Sequence, residues 1–434
     1  MVARIIAARR SAVVPRGGAF AGLRIEDLAT PVVTALLADA ASVCGIGSAD
    51  VDELIVAEAV GLGGNPARRI ALAAGLPGHV AGLSIDRQCA GGLDAIALGA
   101  ALIAAGRARV VIAGGVESAS RRPQRAAPDG AGGFRPYDQA PFTPWPGRDP
   151  GMTEAAAALA EAHAVSRDAQ DAWAVESHAR ARAVPGGLRS GGPNPRESDP
   201  REPDPDWPEI VVIAGQSRDP FTRRLTPAIA ARAPLLRGSV SAANAAVAAD
   251  GAAFVLLVAR DLLPRGRGAR ALRVAGAATR GAADPKWPGL AAIPAMRAAM
   301  AEAGIAARDL AQAEIMEAYA VQAILTARAL LEGEAMPSVQ SGSLAEQART
   351  VLASAPPVPI EGPLAARALP EGEGPIPDFV NPRGGGLARG HPIGASGAVL
   401  AVRLFHDLRP GGGPGLAAIA AAGGIGSALV LAPA

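Results

Sequence analysis

Cys89 and its neighbours provide a candidate nucleophile. The segment 82–85 (GLSI) predicts a strand, and a helix is predicted to begin near Ala90. A thiol at the start of a helix faces the positive end of the helix dipole and unpaired backbone N–H groups, which favour the nucleophilic thiolate. Gly91 and Gly92 would let the backbone and a ligand approach closely. An isolated cysteine is more often a buried structural residue, so the thiol needs a reactive partner before it is assigned a role.

His391 is a candidate for that partner. It lies in 384–397 (GGGLARGHPIGASG), where glycine and proline on both sides predict a tight loop leading into a helix. Such a histidine can accept a thiol proton or donate to an acyl oxygen; alternatively, it only hydrogen-bonds the loop backbone. The other histidines are not spaced like metal ligands, so no metal site is expected: His79, His163, His178 and His406.

Strands and helices must position these two residues. Short apolar runs predict buried strands at 110–113 (VVIA), 211–214 (VVIA), 254–258 (FVLLV) and 428–431 (ALVL). Alanine-rich stretches predict helices at 93–105, 295–303 and, with a serine N-cap and an acidic first turn, 166–181. This mixture of elements predicts a layered α/β fold.

An internal repeat indicates two similar α/β halves. Gly45-Ile46, Asp50 and Glu58-Ala59 recur as Gly304-Ile305, Asp309 and Glu317-Ala318, each 259 positions later (304−45, 309−50, 317−58). Two more pairs follow in the same chain order: 113–116 (AGGV) with 422–425 (AGGI), offset 309, and 89–92 (CAGG) with 394–397 (GASG), offset 305. Because alanine- and glycine-rich sequence yields chance matches, the shared order carries more weight than any single pair.

Segments without a counterpart interrupt the two halves. Residues 119–237, with Pro/Gly/Arg-rich loops, are predicted to form an inserted loop domain that contains the helix 166–181 and a mobile surface loop at 184–209. Residues 337–378, rich in Pro and Gly, are predicted to be an insertion in the second half. The predicted division is therefore 1–118 with 238–265, then 119–237, then 270–434.

The composition excludes several function classes. The 434 residues are 50% apolar with a formal charge of +2, and no basic run is interleaved with aromatic residues, which argues against nucleic acid as a partner. Two cysteines, Cys44 and Cys89, cannot form a disulfide framework and favour a reducing, cytoplasmic compartment. Arg9 and Arg10 interrupt the apolar N-terminus, which is unlike a signal peptide. No long uncharged apolar run has membrane flanks, so no membrane span is expected.

Taken together, these stretches resemble the thiolase family over nearly the whole chain. The nucleophile motif is matched by 84–93 (SIDRQCAGGL) and the histidine motif by 390–397 (GHPIGASG). Supporting matches follow in family order: 114–118 (GGVES), 151–154 (GMTE), 177–178 (SH), 238–244 (GSVSAAN) and 250–252 (DGA). The resemblance implies two similar α-β-α layered halves with a loop domain inserted in the first, and a homodimer or tetramer.

The same resemblance implies the chemistry. Cys89 would carry an acyl group as a thioester taken from an acyl-CoA, and His391 would be its catalytic partner. The backbone N–H groups of Cys89 and Ala422 would form an oxyanion hole, and Gly390 and Gly394 would lie at the substrate. No permanently bound cofactor is implied, since acyl-CoA is a substrate.

Three positions depart from the family pattern. The asparagine of the family's Asn-Glu-Ala-Phe motif, which holds an oxyanion water, is Met316 in the sequence 316–319 (MEAY). The second family cysteine, the acid/base for the substrate Cα proton, is Ala420. A serine that contacts the CoA pantetheine in the family is Ala246. General acid–base assistance is worth about 10²–10⁴-fold and an oxyanion donor roughly 10²–10³-fold, so efficient Claisen condensation is not expected.

Three functions stay open at this point. The preferred interpretation is a divergent acyltransferase that loads Cys89 from an acyl-CoA or an acyl carrier protein and passes the acyl group to another nucleophile. The first alternative is an ordinary acetyl-CoA C-acyltransferase with substitute groups. The second is a non-catalytic acyl-CoA-binding scaffold, which the presence of both Cys89 and His391 argues against.

Overall fold

A computed structural model describes residues 2–183, 208–263, 271–332 and 376–434. Its strands are β1 Ala3–Ser11, β2 Val14–Pro15, β3 Glu53–Ala57, β4 Leu83–Ile85, β5 Val110–Ser118, β6 Arg125–Pro128, β7 Phe134–Tyr137, β8 Ile210–Val211, β9 Leu235–Arg237, β10 Val240–Ser241, β11 Ala249–Ala259, β12 Leu272–Gly281, β13 Gln312–Ile315, β14 Gly415–Ala421 and β15 Ile425–Pro433. Its helices are α1 Ile25–Cys44, α2 Pro66–Ala73, α3 Gly91–Ala104, α4 Met152–Ala162, α5 Arg167–Arg182, α6 Pro227–Ala231, α7 Ala292–Ala303, α8 Ala320–Glu332, α9 Gly386–Arg389 and α10 Ile393–Asp407. The predicted loop 184–209 and insertion 337–378 lie almost entirely outside the described residues.

One continuous sheet connects the two halves of the described chain. Its order is β13–β14–β15–β12–β1–β11–β5–β3–β4, with β2 paired to β11 and β8 to β1. The halves meet where β1 pairs with β12, through Arg4 opposite Arg273 and Ile5 opposite Leu272. Within each half, a parallel pair (β3–β5, β13–β14) is followed by antiparallel neighbours (β5–β11, β14–β15). The same pairing pattern on both sides of this joint supports the duplication inferred from the repeat.

Helices and the two halves of the sheet alternate in five layers. Helix α1 packs on β1 and β11 in the first half, and α7 packs on β12 and β15 in the second. Between the halves lie α3 and α10, each of which contacts strands of both. A helix that is apolar nearly all round is buried, and every residue of α10 from Gly394 to Phe405 is buried, including Arg403, whose charge is paired with Glu314 at 2.8 Å. The duplicated α/β fold expected from the sequence is therefore present, with the two halves sharing this central helical layer.

The 259-residue repeat corresponds to matching local structure. Gly45 and Gly304 end α1 and α7 as left-handed C-caps, with φ +74° and +68°. A short turn follows in each half, where Asp50 accepts a hydrogen bond from the Gly47 N–H at 2.9 Å and Asp309 accepts one from the Ala306 N–H at 2.8 Å. Glycine tolerates the left-handed conformation at no steric cost, which explains why both halves carry it there.

One of the other repeat pairs is a chance match. Strand pairing aligns Glu53 with Val111 in the first half and Gln312 with Gly415 in the second. With 53 and 312 equivalent at the 259 offset, Val111 corresponds to Gly415, an offset of 304 (415−111). Residues 113–116 therefore lie inside β5, whereas 422–425 lie at the turn between β14 and β15. The offset of 305 between 89–92 and 394–397 is within one position of this value, whereas the offset of 309 between 113–116 and 422–425 is not.

Most of the predicted elements are found. The predicted helices correspond to α3, α5 and α7, and the Ser166 side chain caps α5 by accepting from the Ala169 N–H. Three predicted strands lie within β5, β11 and β15. The strand predicted at 211–214 is wrong, because β8 ends at Val211 and Ala214 has φ +47° in a turn. Strand β8 pairs with β1 in the main sheet, so the final part of the predicted insert packs with the first half.

Helix α1 is one described helix that is long and apolar enough, by length and composition alone, to cross a membrane. In this structure its Leu28, Val32 and Leu36 are fully buried, packed in the same apolar cluster as residues of β1 and β11. The opposite face, which includes Thr34 and Ala38, is exposed, as in an amphipathic helix that packs one face on a sheet. The absence of a membrane span stays a prediction.

Candidate active site

Cys89 lies on a strained turn between β4 and α3. The turn Gln88–Ala90 is a short 3₁₀ helix, and Gln88 has φ +51°. A non-glycine residue in this left-handed region costs on the order of 1–3 kcal/mol and persists only where its surroundings hold it. Asp86 provides that support, because its side chain accepts from both the backbone N–H and the side-chain amide of Gln88 at 2.8 and 2.9 Å. The turn presents the half-buried Cys89 thiol to the face where the two halves meet.

His391 approaches the thiol from the second half. Its Nε2 lies 3.1 Å from Cys89 Sγ, although the two residues are 302 positions apart. Its backbone N–H donates to the Val247 carbonyl at 2.8 Å, which fixes the loop before α10. The structure thus places the two residues singled out by the sequence within direct hydrogen-bond distance.

Ser396 sets the tautomer of His391. Ser396 Oγ lies 2.6 Å from His391 Nδ1 and 3.0 Å from the Pro392 carbonyl oxygen. A carbonyl can only accept, so the Ser396 hydroxyl donates to Pro392 and accepts from Nδ1–H. Nε2 then has no proton and accepts the Cys89 thiol proton, as a general base must. This role of Ser396 was not predicted from the sequence. The feature that could have indicated it is a serine five residues after the histidine, one turn into the following helix.

Reciprocal glycines allow α3 and α10 to meet at the site. A Cβ on Gly92 would lie 2.6 Å from the Ala398 backbone nitrogen, and a Cβ on Gly397 would lie 2.6 Å from the Leu93 nitrogen. Both distances are too short for any side chain, so the helices can approach this closely only with glycine at both positions. Gly92 was expected to let the backbone and a ligand approach closely. In the structure the close approach is that of the α10 backbone.

Burial dominates the protonation states of the pair. Burial raises the pKa of Cys89 to about 12, although hydrogen bonds from the backbone N–H groups of Cys89 and Ala422 act in the opposite direction. Burial also lowers the pKa of His391 to about 4. The sequence-based expectation of a thiolate favoured by the helix dipole is therefore not met at rest. The resting pair is a thiol and a neutral imidazole, and the proton must move as the sulfur attacks.

The predicted oxyanion-hole groups lie near the sulfur. The backbone N–H groups of Cys89 and Ala422 each lower the pKa of the thiol by hydrogen bonding, which indicates that both lie close to Sγ. Ala422 follows β14 at the turn to β15, and β14 contacts the Gln88–Ala90 turn. Two backbone donors from different halves of the chain thus lie beside the atom to which an acyl group would be attached.

The three positions that depart from the family pattern carry no polar side chains. Met316 is buried and packs in the same apolar cluster as Cys89. Ala420, also buried, packs against Ala291 and Ala292. Ala246 is half-buried, and its N–H donates to the Ala318 carbonyl.

Gly390 and Gly394 are both buried in tight packing. Gly390 has φ +113°, and a Cβ there would lie 2.9 Å from the Ala249 Cβ. A Cβ on Gly394 would lie 2.9 Å from the Glu58 Cα. Substrate contact by these glycines stays a prediction.

Two buried carboxylates outside the predicted set hold the site loops. Glu117, at the end of β5, accepts from the N–H groups of Gly394 (3.0 Å), Ala59 (3.1 Å) and Val60 (3.3 Å). Burial raises its pKa to about 7. These bonds fix the first turn of α10, and hence His391, to the first half. The sequence signal was a carboxylate within the motif 114–118.

Glu317 does the same for the loop before His391. It accepts from Trp173 Nε1 (3.0 Å), Ser177 Oγ (2.7 Å), Asn381 Nδ2 (2.8 Å) and the Leu387 N–H (3.2 Å). Glu317 therefore connects α5 with α9. The recurrence of Glu58 as Glu317 in the repeat was the available sequence signal.

We expect Ser396→Ala to slow acylation of Cys89 by about 2- to 10-fold. A lost hydrogen bond costs about 0.5–1.5 kcal/mol net, and about 1.4 kcal/mol is tenfold in rate. The rate of acyl-adduct formation at pH 7, followed by intact-protein mass, measures the effect, with the melting temperature as the control for folding. An unchanged rate would show that the ring orientation does not depend on Ser396.

No group of three or more His, Cys, Asp or Glu side chains that could hold a metal ion occurs in 2–183, 208–263, 271–332 and 376–434. The arrangement as a whole, a Cys–His pair between two similar α/β halves with backbone donors from both, is that of a thiolase. A family model for the thiolase N-terminal domain matches residues 3–186, and one for the thiolase C-terminal domain matches residues 270–433. The chain belongs to the thiolase family.

Relatives and solved structures extend over the full chain. A putative acetyl-CoA C-acetyltransferase of Bacillus subtilis is 32% identical over 99% of this chain and 99% of its own length. An acetyl-CoA acetyltransferase of Shinella zoogloeoides is 32% identical over 98% of each. The crystal structure of the Bacillus anthracis acetyl-CoA acetyltransferase superposes with a TM-score of 0.75 at 28% identity, covering 99% of this chain and 98% of that one. The Acat5 thiolase of Ascaris suum in complex with coenzyme A shares the fold, with a TM-score of 0.76 at 24% identity and full coverage of both chains.

Proposed function

We propose that this protein is an acyl-CoA-dependent acyltransferase that forms an acyl thioester on Cys89. The observation that carries the proposal is the 3.1 Å contact between Cys89 Sγ and His391 Nε2, with the N–H groups of Cys89 and Ala422 beside the sulfur. His391 accepts the thiol proton as the sulfur attacks the thioester carbonyl. The two N–H groups stabilise the oxyanion, and the protonated His391 then donates to the departing CoA sulfur.

For the overall reaction we propose acetyl-CoA C-acetyltransfer, by condensation or by thiolysis. The support is the names of the relatives, which favour this reaction over transfer to an unrelated nucleophile. Transfer to another nucleophile is the second candidate. It is favoured by the apolar side chains of Met316 and Ala420, which provide neither an oxyanion water nor an acid/base group.

A groove beside the loop 241–246 is the place we propose for CoA. It has a volume of about 360 Å³ and includes Arg223, Arg232, Ala242 and Ala243 in its lining. Guanidinium groups bind phosphate oxygens well, so Arg223 and Arg232 suit the nucleotide end of the ligand. The pantetheine arm would pass Ala246 toward Cys89.

The direct test is the mass of the intact protein after incubation with acyl-CoA thioesters of increasing chain length. A parallel series with the same acyl groups on a carrier protein distinguishes the two donors. We expect an added mass equal to the acyl group, located on Cys89 by peptide mapping. A protein that binds acyl-CoA but gains no mass would be a scaffold, which would overturn the proposal.

We expect the double variant Ala420→Cys with Met316→Asn to condense two acetyl-CoA molecules at least about tenfold faster than the unmodified protein. The new thiol would serve as acid/base for the Cα proton, and the amide could hold an oxyanion water, so both act in one step. Their effects should therefore not be additive, and each single variant should gain less. Initial rates of acetoacetyl-CoA formation measure this.

Rapid condensation by the unmodified protein, with no gain in the double variant, would show that other groups already do this work.

A further inference from the structure

Tyr319 stands at the last position of the motif 316–319, where the family has phenylalanine. The protein has two tyrosines, Tyr137 and Tyr319, and Tyr137 is exposed. Tyr319 immediately precedes α8, is half-buried, and its hydroxyl oxygen lies 2.8 Å from Thr153 Oγ1. A buried tyrosine hydroxyl needs a hydrogen-bond partner, and Thr153 provides one while leaving the Tyr319 oxygen or proton free for a second contact.

Tyr319 and Ala420 line the same small cavity. Trp287 and Gln322 complete its polar and aromatic walls, and its volume is about 20 Å³, enough for one water molecule. Among the residues that line it, Tyr319 alone carries a titratable side chain. Within the described part of the chain, the phenol is therefore the one group of adjustable charge among the residues that line this cavity with Ala420.

The cavity is close to the reactive thiol. Strand β14, which carries Ala420, contacts the Gln88–Ala90 turn. Burial raises the pKa of Tyr319 and the hydrogen bond with Thr153 lowers it, while a thiolate at Cys89 would raise it further, so the two side chains lie within electrostatic range of each other. An antiparallel bridge between Tyr319 and Ala245 also places the tyrosine beside the loop proposed to carry the pantetheine arm.

We propose that the Tyr319 hydroxyl transfers the Cα proton of the second substrate, in the place of the missing acid/base thiol. This inference rests on the proposed thiolase reaction. In thiolysis, the Cys89 S–H proton passes to His391 Nε2 as Sγ bonds to the 3-keto carbon, and the bond from that carbon to Cα then breaks, leaving its electron pair on Cα. The Tyr319 O–H bond breaks and its proton bonds to Cα. The protonated His391 returns its proton to the phenolate through water, so no hydroxide is left and no other reactant is consumed.

A direction preference follows from this assignment. Because the pKa of Tyr319 is raised, the hydroxyl is protonated at neutral pH. It can therefore donate a proton to a carbanion in thiolysis, but the phenolate needed to remove a Cα proton is scarce. Proton removal from acetyl-CoA should then rise about tenfold per pH unit while the pH is below the pKa of the phenol.

Deuterium exchange tests the proton transfer separately from carbon–carbon bond formation. Acetyl-CoA is incubated with the protein in D₂O between pH 7 and 9, and deuterium at the methyl carbon is measured by mass. We expect Tyr319→Phe to lower the ratio of exchange rate to Cys89 loading rate by about 10²–10⁴-fold. Tyr137→Phe, which removes the exposed hydroxyl, is the matched control and should leave this ratio unchanged.

Rescue distinguishes chemistry from structure. In the double variant Tyr319→Phe with Ala420→Cys, the new thiol should restore exchange by at least about tenfold over Tyr319→Phe alone. A purely structural defect would not be repaired by a thiol on the opposite wall. Normal exchange by Tyr319→Phe, or no exchange by the unmodified protein, would overturn the assignment even when Cys89 still loads; loss of loading itself would instead count against the proposed function.

Discussion

Replacement of Cys89 by alanine should abolish covalent acylation. The expected effect is complete loss of the acyl adduct, because the second cysteine, Cys44, lies at the end of α1 with its Sγ against the Ala40 carbonyl. Intact-protein mass after incubation with acyl-CoA measures the adduct, and the detection limit sets the size of the effect. The fold should persist, since alanine retains the Cβ and the side chain it replaces is only half-buried.

Cys44→Ala is the matched control for this experiment. It removes the other thiol and should leave both the adduct and its rate of formation unchanged. If Cys89→Ala still gained the acyl mass, the nucleophile would have to be another residue, and the contact with His391 would lose its functional meaning. Thermal melting of both variants separates loss of chemistry from loss of structure.

Replacement of His391 by alanine should slow acylation by at least about 10²-fold at pH 7. General-base assistance is typically worth about 10²–10⁴-fold, and the need for it is high here because burial raises the pKa of Cys89 to about 12. Without the imidazole the thiol has no acceptor for its proton as it attacks. Single-turnover rates of adduct formation give the comparison, and His79→Ala, whose ring contacts the Val51 carbonyl, is a suitable control.

The pH dependence provides a second check on His391. Since burial lowers the pKa of His391 to about 4, the imidazole stays neutral and able to accept a proton down to about pH 4. Acylation by the unmodified protein should therefore fall only as the pH approaches 4, well below the usual histidine pKa of about 6.5. In His391→Ala the rate should instead rise with pH, because only the thiolate attacks. If His391→Ala were acylated at the rate of the unmodified protein at pH 7, the backbone donors alone would activate the thiol.

The protonation state of Cys89 depends on residues that are distant in the chain. The sequence predicts a helix after Cys89, and the helix is present as α3. The charge state inferred from that position fails, because the thiol is enclosed by residues distant in the chain. Desolvation by those residues outweighs the local backbone hydrogen bonds.

The glycines show the same limit in a different way. Gly92 and Gly397 both stand in motifs recognised in the sequence, and of these two close approach was expected at Gly92 alone. The local sequence does not specify which group approaches. In the structure α3 packs against α10, and a Cβ built on either glycine would lie 2.6 Å from a backbone nitrogen of the facing helix. A sequence pattern reports the tolerance of a backbone for close contact, and tertiary packing selects the partner.

The sequence by itself determined the elements and the family. Apolar periodicity and caps depend on contacts a few residues apart, so α3, α5 and α7 could be predicted from them, and the 259-residue repeat, which is read by comparing two segments, predicted the duplicated halves. The types of the two reactive residues, and the missing groups at Met316 and Ala420, were equally legible. The tertiary structure decided the rest. The 3.1 Å contact across 302 positions, the tautomer fixed by Ser396 and the cavity shared by Ala420 and Tyr319 all require two halves to pack on one helical layer. Burial, which sets both pKa values at the site, exists only once that packing has formed.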